Sequence, residues 1–167
     1  MLVQCIGACL QVILPAFPAV HVADDYFTLG IVHPFVDWKD SGDGNETIPT
    51  AVSVGYGRPM RAKNLYWEAD GLLTVARGEL QGFFSTDKYS VNSLGIYGVW
   101  RGSGTTFFTA RGGFAYTSVS GIGEDGANGS SFSPAFGAGV GFGRRFGIEL
   151  RRLNSDVNSL QFSYRFD

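Results

Sequence analysis

Asn158-Ser159-Leu160-Gln161-Phe162-Ser163-Tyr164-Arg165-Phe166-Asp167 is the stretch that decides the fold. Leu160, Phe162, Tyr164 and Phe166 share one parity; Ser159, Gln161, Ser163 and Arg165 share the other. Side chains on a strand alternate between faces, so this segment has an aromatic face and a polar face. A half-apolar terminal strand has an edge to hide, and closing the sheet into a barrel hides it. Lipid outside such a barrel explains the aromatics.

The composition agrees. The chain has 167 residues, the length of one domain, with 24 Gly, 14 Phe, 7 Tyr and 3 Trp. Only 17% of residues are charged, where a soluble domain has about 25%. Mean hydropathy is +0.05, far below that of a helical membrane protein. A membrane barrel gives such an average because apolar and polar positions alternate and cancel. The net charge of −2 argues against a nucleic-acid partner.

Residues 1–23 differ from the rest. They carry no Asp, Glu, Lys or Arg and are apolar from Ile6 to Val22, interrupted by Gln11, Pro15 and Pro18. This is too short and too broken for a spanning helix. Small residues before Asp24-Asp25 suggest a cleavage site, so residues 1–23 are expected to be a signal peptide and 24–167 the barrel domain. Cys5 and Cys9 both fall in the leader, which leaves no cysteine for a disulfide, a thiolate zinc site or a nucleophile in the mature chain.

Eight extended segments can be drawn: Tyr26 to Val36, Ile48 to Arg58, Asn64 to Arg77, Tyr89 to Arg101, Thr105 to Val119, Ser131 to Arg144, Phe146 to Leu153 and Ser159 to Phe166. No stretch keeps a period of 3.6, so no mature helix is expected. Connections 37–47, 78–88 and 120–130 are long and polar or Gly-rich, those around 59–63, 102–104 and 144–145 are tight, and 154–158 is intermediate. Long loops on one side and tight turns on the other predict an all-β, eight-stranded, antiparallel up-and-down transmembrane barrel. Pro34, Pro49, Pro59 and Pro134 then sit at strand ends, where a missing N–H costs least.

Parity assigns the faces. Phe132, Phe136, Ala138, Val140 and Phe142 alternate with Ser131, Ser133, Ala135, Gly137, Gly139 and Gly141. A narrow barrel wants small residues inside, so the aromatic face points to lipid, and Gly139→Ser on the inner face is expected to be milder than an arginine on the outer one. Trp67, Trp100, Phe108, Phe114, Phe136 and Phe142 are assigned to the lipid face and its girdles, with Trp67 and Trp100 near the tight turns and Trp38 near the long loops. Inward parity falls on Glu68, Asp70, Arg111, Glu149, Arg151 and Arg165. Three acids and three bases are expected to pair into one network that closes the lumen, because buried charges must be paired. Removing one arginine would then unfold the chain or open a leak.

With these pieces in hand, the chain resembles the small bacterial outer-membrane β-barrels, the group that includes the membrane domain of outer-membrane protein A and outer-membrane protein X. The resemblance covers residues 24–167 and rests on Ala135-Phe136-Gly137-Ala138-Gly139-Val140-Gly141, on Gly147-Ile148-Glu149-Leu150-Arg151, and on Leu160 to Phe166. The last piece is similar to the group's C-terminal insertion signal, which here would be carried by Leu160, Phe162, Tyr164 and Phe166 with Asp167 appended. The resemblance implies a monomeric barrel in the outer membrane of a Gram-negative bacterium. Its partners would be outer-membrane lipid, lipopolysaccharide, the barrel assembly machinery during insertion and a surface ligand of unknown identity. No single activity is implied.

Little in the residues points to catalysis. His33 is the one histidine of the mature chain and has no neighbouring serine in sequence, so a Ser-His-acid set is not expected. Asp40-Ser41-Gly42-Asp43-Gly44-Asn45-Glu46 lacks the spacing of a calcium loop. No catalytic residue, metal site or cofactor is expected. The expected function is a non-enzymatic barrel with a structural or surface-interaction role through its long loops. The alternatives are a narrow porin-like channel, separable by bilayer conductance, a lipid-modifying enzyme, separable by lipid A mass spectrometry, and a soluble lipocalin-like carrier, separable by detergent dependence.

Overall fold

Alternating apolar and polar residues, punctuated by Gly and Pro, leave the backbone one way to satisfy its hydrogen bonds in lipid, which is a closed sheet. The computed structural model describes residues 25–36, 46–81, 86–121, 129–143 and 145–166. The expected leader, Trp38 and the acidic run 40–45 lie outside the described residues.

The strands are β1 (Tyr26–Val36), β2 (Glu46–Thr47), β3 (Thr50–Pro59), β4 (Leu65–Ala76), β5 (Gly78–Gln81), β6 (Thr86–Arg101), β7 (Thr106–Ser120), β8 (Gly129–Phe142), β9 (Phe146–Arg152) and β10 (Val157–Phe166). Eight of them form a ring in the order β1-β3-β4-β6-β7-β8-β9-β10, each antiparallel to its neighbours. The tail shuts it: β10 pairs with β1 from Phe27↔Phe166 to Val36↔Val157. The fold is an all-β, closed, eight-stranded antiparallel barrel, and no helix occurs among the described residues.

The third connection is more ordered than its composition suggests. β5 pairs with the first residues of β6, and β2 pairs with β5, so the sheet continues past the ring. Pro34 and Pro134 lie where one flanking strand has run out. The β1–β3 register ends at Val32↔Ala51, and the β8–β9 register ends at Phe136↔Arg152.

Inner glycines make room for neighbours. A Cβ on Gly139 would overlap the Ile148 carbonyl oxygen and stand 2.8 Å from Glu149 Cα, its cross-strand partner. Backbone cannot yield as a side chain can, so Gly139→Ser carries a cost of its own even on the inner face. We expect Gly139→Ser to destabilise by about 1–3 kcal/mol, the usual cost of overpacking. Gly112, on the lipid face, has nothing within 4 Å of such a Cβ, so Gly112→Ala should be near neutral. Urea unfolding of both variants in vesicles checks the pair; equal midpoints would contradict the inward placement of Gly139.

Candidate functional site

Inner-face parity gathers charge inside the turn-proximal half of the ring. Glu68 and Asp70 lie on β4, Arg101 ends β6, Arg111 lies on β7, and Glu149 and Arg151 lie on β9. None of these six residues is more than 9% exposed. Glu68 is the hub. Its Oε1 accepts from Arg111 Nη1 at 2.9 Å, and its Oε2 from Arg101 Nη2 at 2.9 Å and from the Tyr26 hydroxyl at 2.7 Å. Asp70 Oδ2 accepts from Arg151 Nη1 and, at 3.4 Å, from Arg111 Nη1. Glu149 Oε2 is 2.6 Å from Arg111 Nη2 and accepts from Arg151 Nε at 3.2 Å, while its Oε1 accepts from Thr109 at 3.0 Å.

Each carboxylate therefore meets two arginines or more, which offsets the cost of taking it from water. Tyrosine rings complete the site. Arg101 lies 4.3 Å from the Tyr26 centroid, and Arg111 and Arg151 lie 5.3 and 5.8 Å from that of Tyr97. These are cation–π distances. Arg165 is buried on the same inner face, with its guanidinium 5.4 Å from the Tyr26 ring.

Two parts of the interior were missed from sequence. Arg101 was read only as a strand end, although Tyr97 and Val99 share its parity and are buried with it. Four inner-face arginines thus face three acids, not three. The second omission is an apolar plug. Val32, Val36, Ala51, Leu72, Tyr89, Val91, Val119, Leu153 and Val157 form one buried cluster at the long-connection end. The signal was available in β1, where Ile31 and Val32 put apolar side chains on both faces. The lumen therefore holds two layers in series, apolar above and ion-paired below.

The outside is the reverse. Trp100, Phe108, Phe114, Phe136 and Phe142 are between 37% and 72% exposed, and Trp67 is half-buried against Tyr56, centroids 5.4 Å apart. Phe162 and Phe166 of the tail are exposed, Leu160 and Tyr164 are partly so, and Ser159, Gln161 and Arg165 are buried. A continuous apolar exterior around a filled interior is the arrangement of a membrane-spanning barrel. His33 lies at the rim, with Nδ1 3.5 Å from Thr50 Oγ1. No cluster of three or more potential metal ligands occurs among the described residues.

No known protein family and no curated protein matches the sequence. Among solved structures, the attachment invasion locus protein Ail of Yersinia pestis is 18% identical, with a TM-score of 0.51 over 85% of this chain and 97% of that one. Ail in complex with the heparin analogue sucrose octasulfate is 17% identical, with a TM-score of 0.51 over the same shares of both chains. Neisserial surface protein A is 13% identical, with a TM-score of 0.50 over 84% of this chain and 95% of that one. At these identities the likeness is one of architecture, and it spans nearly the whole of each neighbour. The chain has the fold of the small outer-membrane β-barrels.

Proposed function

We propose that the chain is a non-enzymatic, monomeric protein of the outer membrane of a Gram-negative bacterium that acts through its outer surface. The observation that carries this reading is the filled lumen: an apolar layer and an ion-paired layer lie in series inside the barrel. Long connections at one end then carry what specificity there is, in a structural or surface-interaction role. Its partners are outer-membrane lipid and lipopolysaccharide, the barrel assembly machinery during insertion, and a ligand of the long connections. The fold shared with Ail, one structure of which holds a heparin analogue, makes sulfated glycans a sensible first probe.

The membrane reading predicts a heat-modifiable protein. A closed barrel keeps its ladder bonds satisfied and resists detergent until heated. Unheated and boiled samples should migrate differently on a detergent gel, and the unheated form should show no steady conductance in a planar bilayer. Identical mobility together with recovery in the soluble fraction would refute the barrel in membranes. A large stable conductance would instead make it a narrow channel, with the lumen charges as selectivity elements. Binding of labelled glycans to intact expressing cells tests the surface role, and an unchanged lipid A mass spectrum tests the non-enzymatic one.

A further inference from the structure

On the turn side of the ion pairs, the lumen holds a small cavity of about 30 Å³, bounded by residues of β1, β6, β7, β8, β9 and β10. A single water needs about 10–15 Å³ by this measure, so the space takes one small solute or about two waters. The register sets its walls at one height. Thr28 is opposite Arg165, Arg101 is opposite Thr109, and Ser163 is opposite Gly147. The Phe107 ring lies over Gly141 at the mouth, since a Cβ on that glycine would overlap the ring. Backbone fixes the remaining side, where Arg165 N donates to Arg145 O at 2.7 Å.

The walls are cationic. Arg101, Arg145 and Arg165 line the cavity against one carboxylate, that of Glu149. The Glu149 oxygens are already engaged, Oε2 by Arg111 and Arg151 and Oε1 by Thr109. Arg101 and Arg165 are both buried, and both bring their guanidiniums to the Tyr26 ring, 4.3 and 5.4 Å from its centroid. Two like charges at one ring repel, and a low-dielectric wall strengthens that repulsion. Thr28 and Ser163 add hydroxyls that can donate into the same space. Guanidiniums and hydroxyls are complemented by an acceptor that carries negative charge. Water would fill the volume without balancing the charge.

We propose that this cavity binds one small inorganic anion of about chloride size, held by Arg101 and Arg165 together with the Thr28 and Ser163 hydroxyls. The guanidinium forks supply charge-assisted hydrogen bonds, and the hydroxyls rotate to complete the shell. The anion bridges β1 and β10 to β6 on the opposite side of the ring. It therefore stabilises the closed barrel by mass action, because the unfolded chain has no such site. This ligand is separate from any bound by the long connections, which lie at the other end of the lumen.

Urea unfolding of the refolded barrel in vesicles tests the site, with sodium chloride exchanged for sodium gluconate at constant ionic strength. Gluconate is too large for the cavity and serves as the inert anion. The unfolding midpoint should rise with chloride and then saturate, as one site requires. Arg165→Gln should raise the chloride concentration giving half the effect about tenfold, as expected for loss of one charge-assisted contact. Thr28→Val should raise it less, and Arg61→Gln, exposed between β3 and β4, should leave it unchanged. Equal midpoints in the two salts for the unaltered protein would overturn the site, even if Arg165→Gln failed to fold. So would a rise that never saturates, an unchanged response in folded Arg165→Gln, or an equal loss in Arg61→Gln. A chloride response that appears only after Asp167→Asn would overturn the inorganic anion in favour of the chain's own carboxylate. Each comparison uses protein with an intact heat-shifted band, so loss of that band signals failure of the barrel reading and not of the anion site.

Discussion

Ile31→Arg should remove most of the folded, heat-shifted protein from membranes. Ile31 is the sixth of eleven residues in β1 and is 54% exposed on the outer face. Its cross-strand neighbours there are Val52 on β3 and Phe162 on β10, so an arginine would find no polar group beside it. A lipid-facing arginine near the midplane costs roughly 2–4 kcal/mol, and the cost falls toward zero at the interfaces. His33→Arg supplies the contrast. It has the same parity and the same strand but sits two residues nearer the rim, beside Thr50. Urea unfolding in vesicles and the yield of the heat-shifted band should both separate the two variants. If they lose equally, His33 is not at the membrane margin and the height of the apolar belt has been misplaced.

The outer face of the fold was legible because lipid demands a simple rule. Every outward position must be apolar across the belt, so a period of two survives in β8 and β10 and can be read by eye. Closure was legible for a related reason: a terminal strand with one aromatic face needs a partner, and β1 provides it in a ten-residue register. The inner face follows a weaker rule. It must be filled and its charges paired, but either apolar or polar side chains can do the filling. Val32 and Leu72 therefore looked no different from lipid-facing residues until parity was followed through the whole ring. The extra sheet formed by β2 and β5 was hidden because polar, Gly-containing sequence permits both loop and strand.

The charge site was partly legible for the same reason. Parity alone put Glu68, Asp70, Arg111, Glu149 and Arg151 on one face, but it cannot give height around a tilted ring. Height decides which charges meet. Arg101, at the end of its strand, reaches Glu68 on the neighbouring β4, and Arg165, inward by the same parity, lies with its guanidinium 5.4 Å from the Tyr26 ring. The tyrosines were missed because an aromatic residue at an inward position reads as a packing residue until its hydroxyl finds a carboxylate, as Tyr26 does with Glu68.

Arg111→Ala tests that site where its effect should be greatest. Arg111 contacts all three inner acids, at 2.9 Å from Glu68, 3.4 Å from Asp70 and 2.6 Å from Glu149, and approaches Glu68 more closely than Arg151 does at 4.0 Å. Removing it leaves Glu68 with Arg101, Asp70 with Arg151, and Glu149 with Arg151 as its remaining close partner. Breaking a buried pair from one side costs about 3–5 kcal/mol, since the stranded charge stays buried. The unfolding midpoint in urea should fall accordingly. Adding Glu149→Gln to Arg111→Ala should recover part of the loss, because it removes the carboxylate that loses the shortest of the three contacts, 2.6 Å. A purely steric role for Arg111 predicts no recovery. The expectation that losing an arginine opens a leak changes once the second layer is seen. Val32, Leu72, Tyr89 and Val91 still close the other half of the lumen, so the folded Arg111→Ala barrel should remain non-conducting. Conductance in that variant alone would mean that the ion-paired layer is the only seal, and that the apolar cluster admits water.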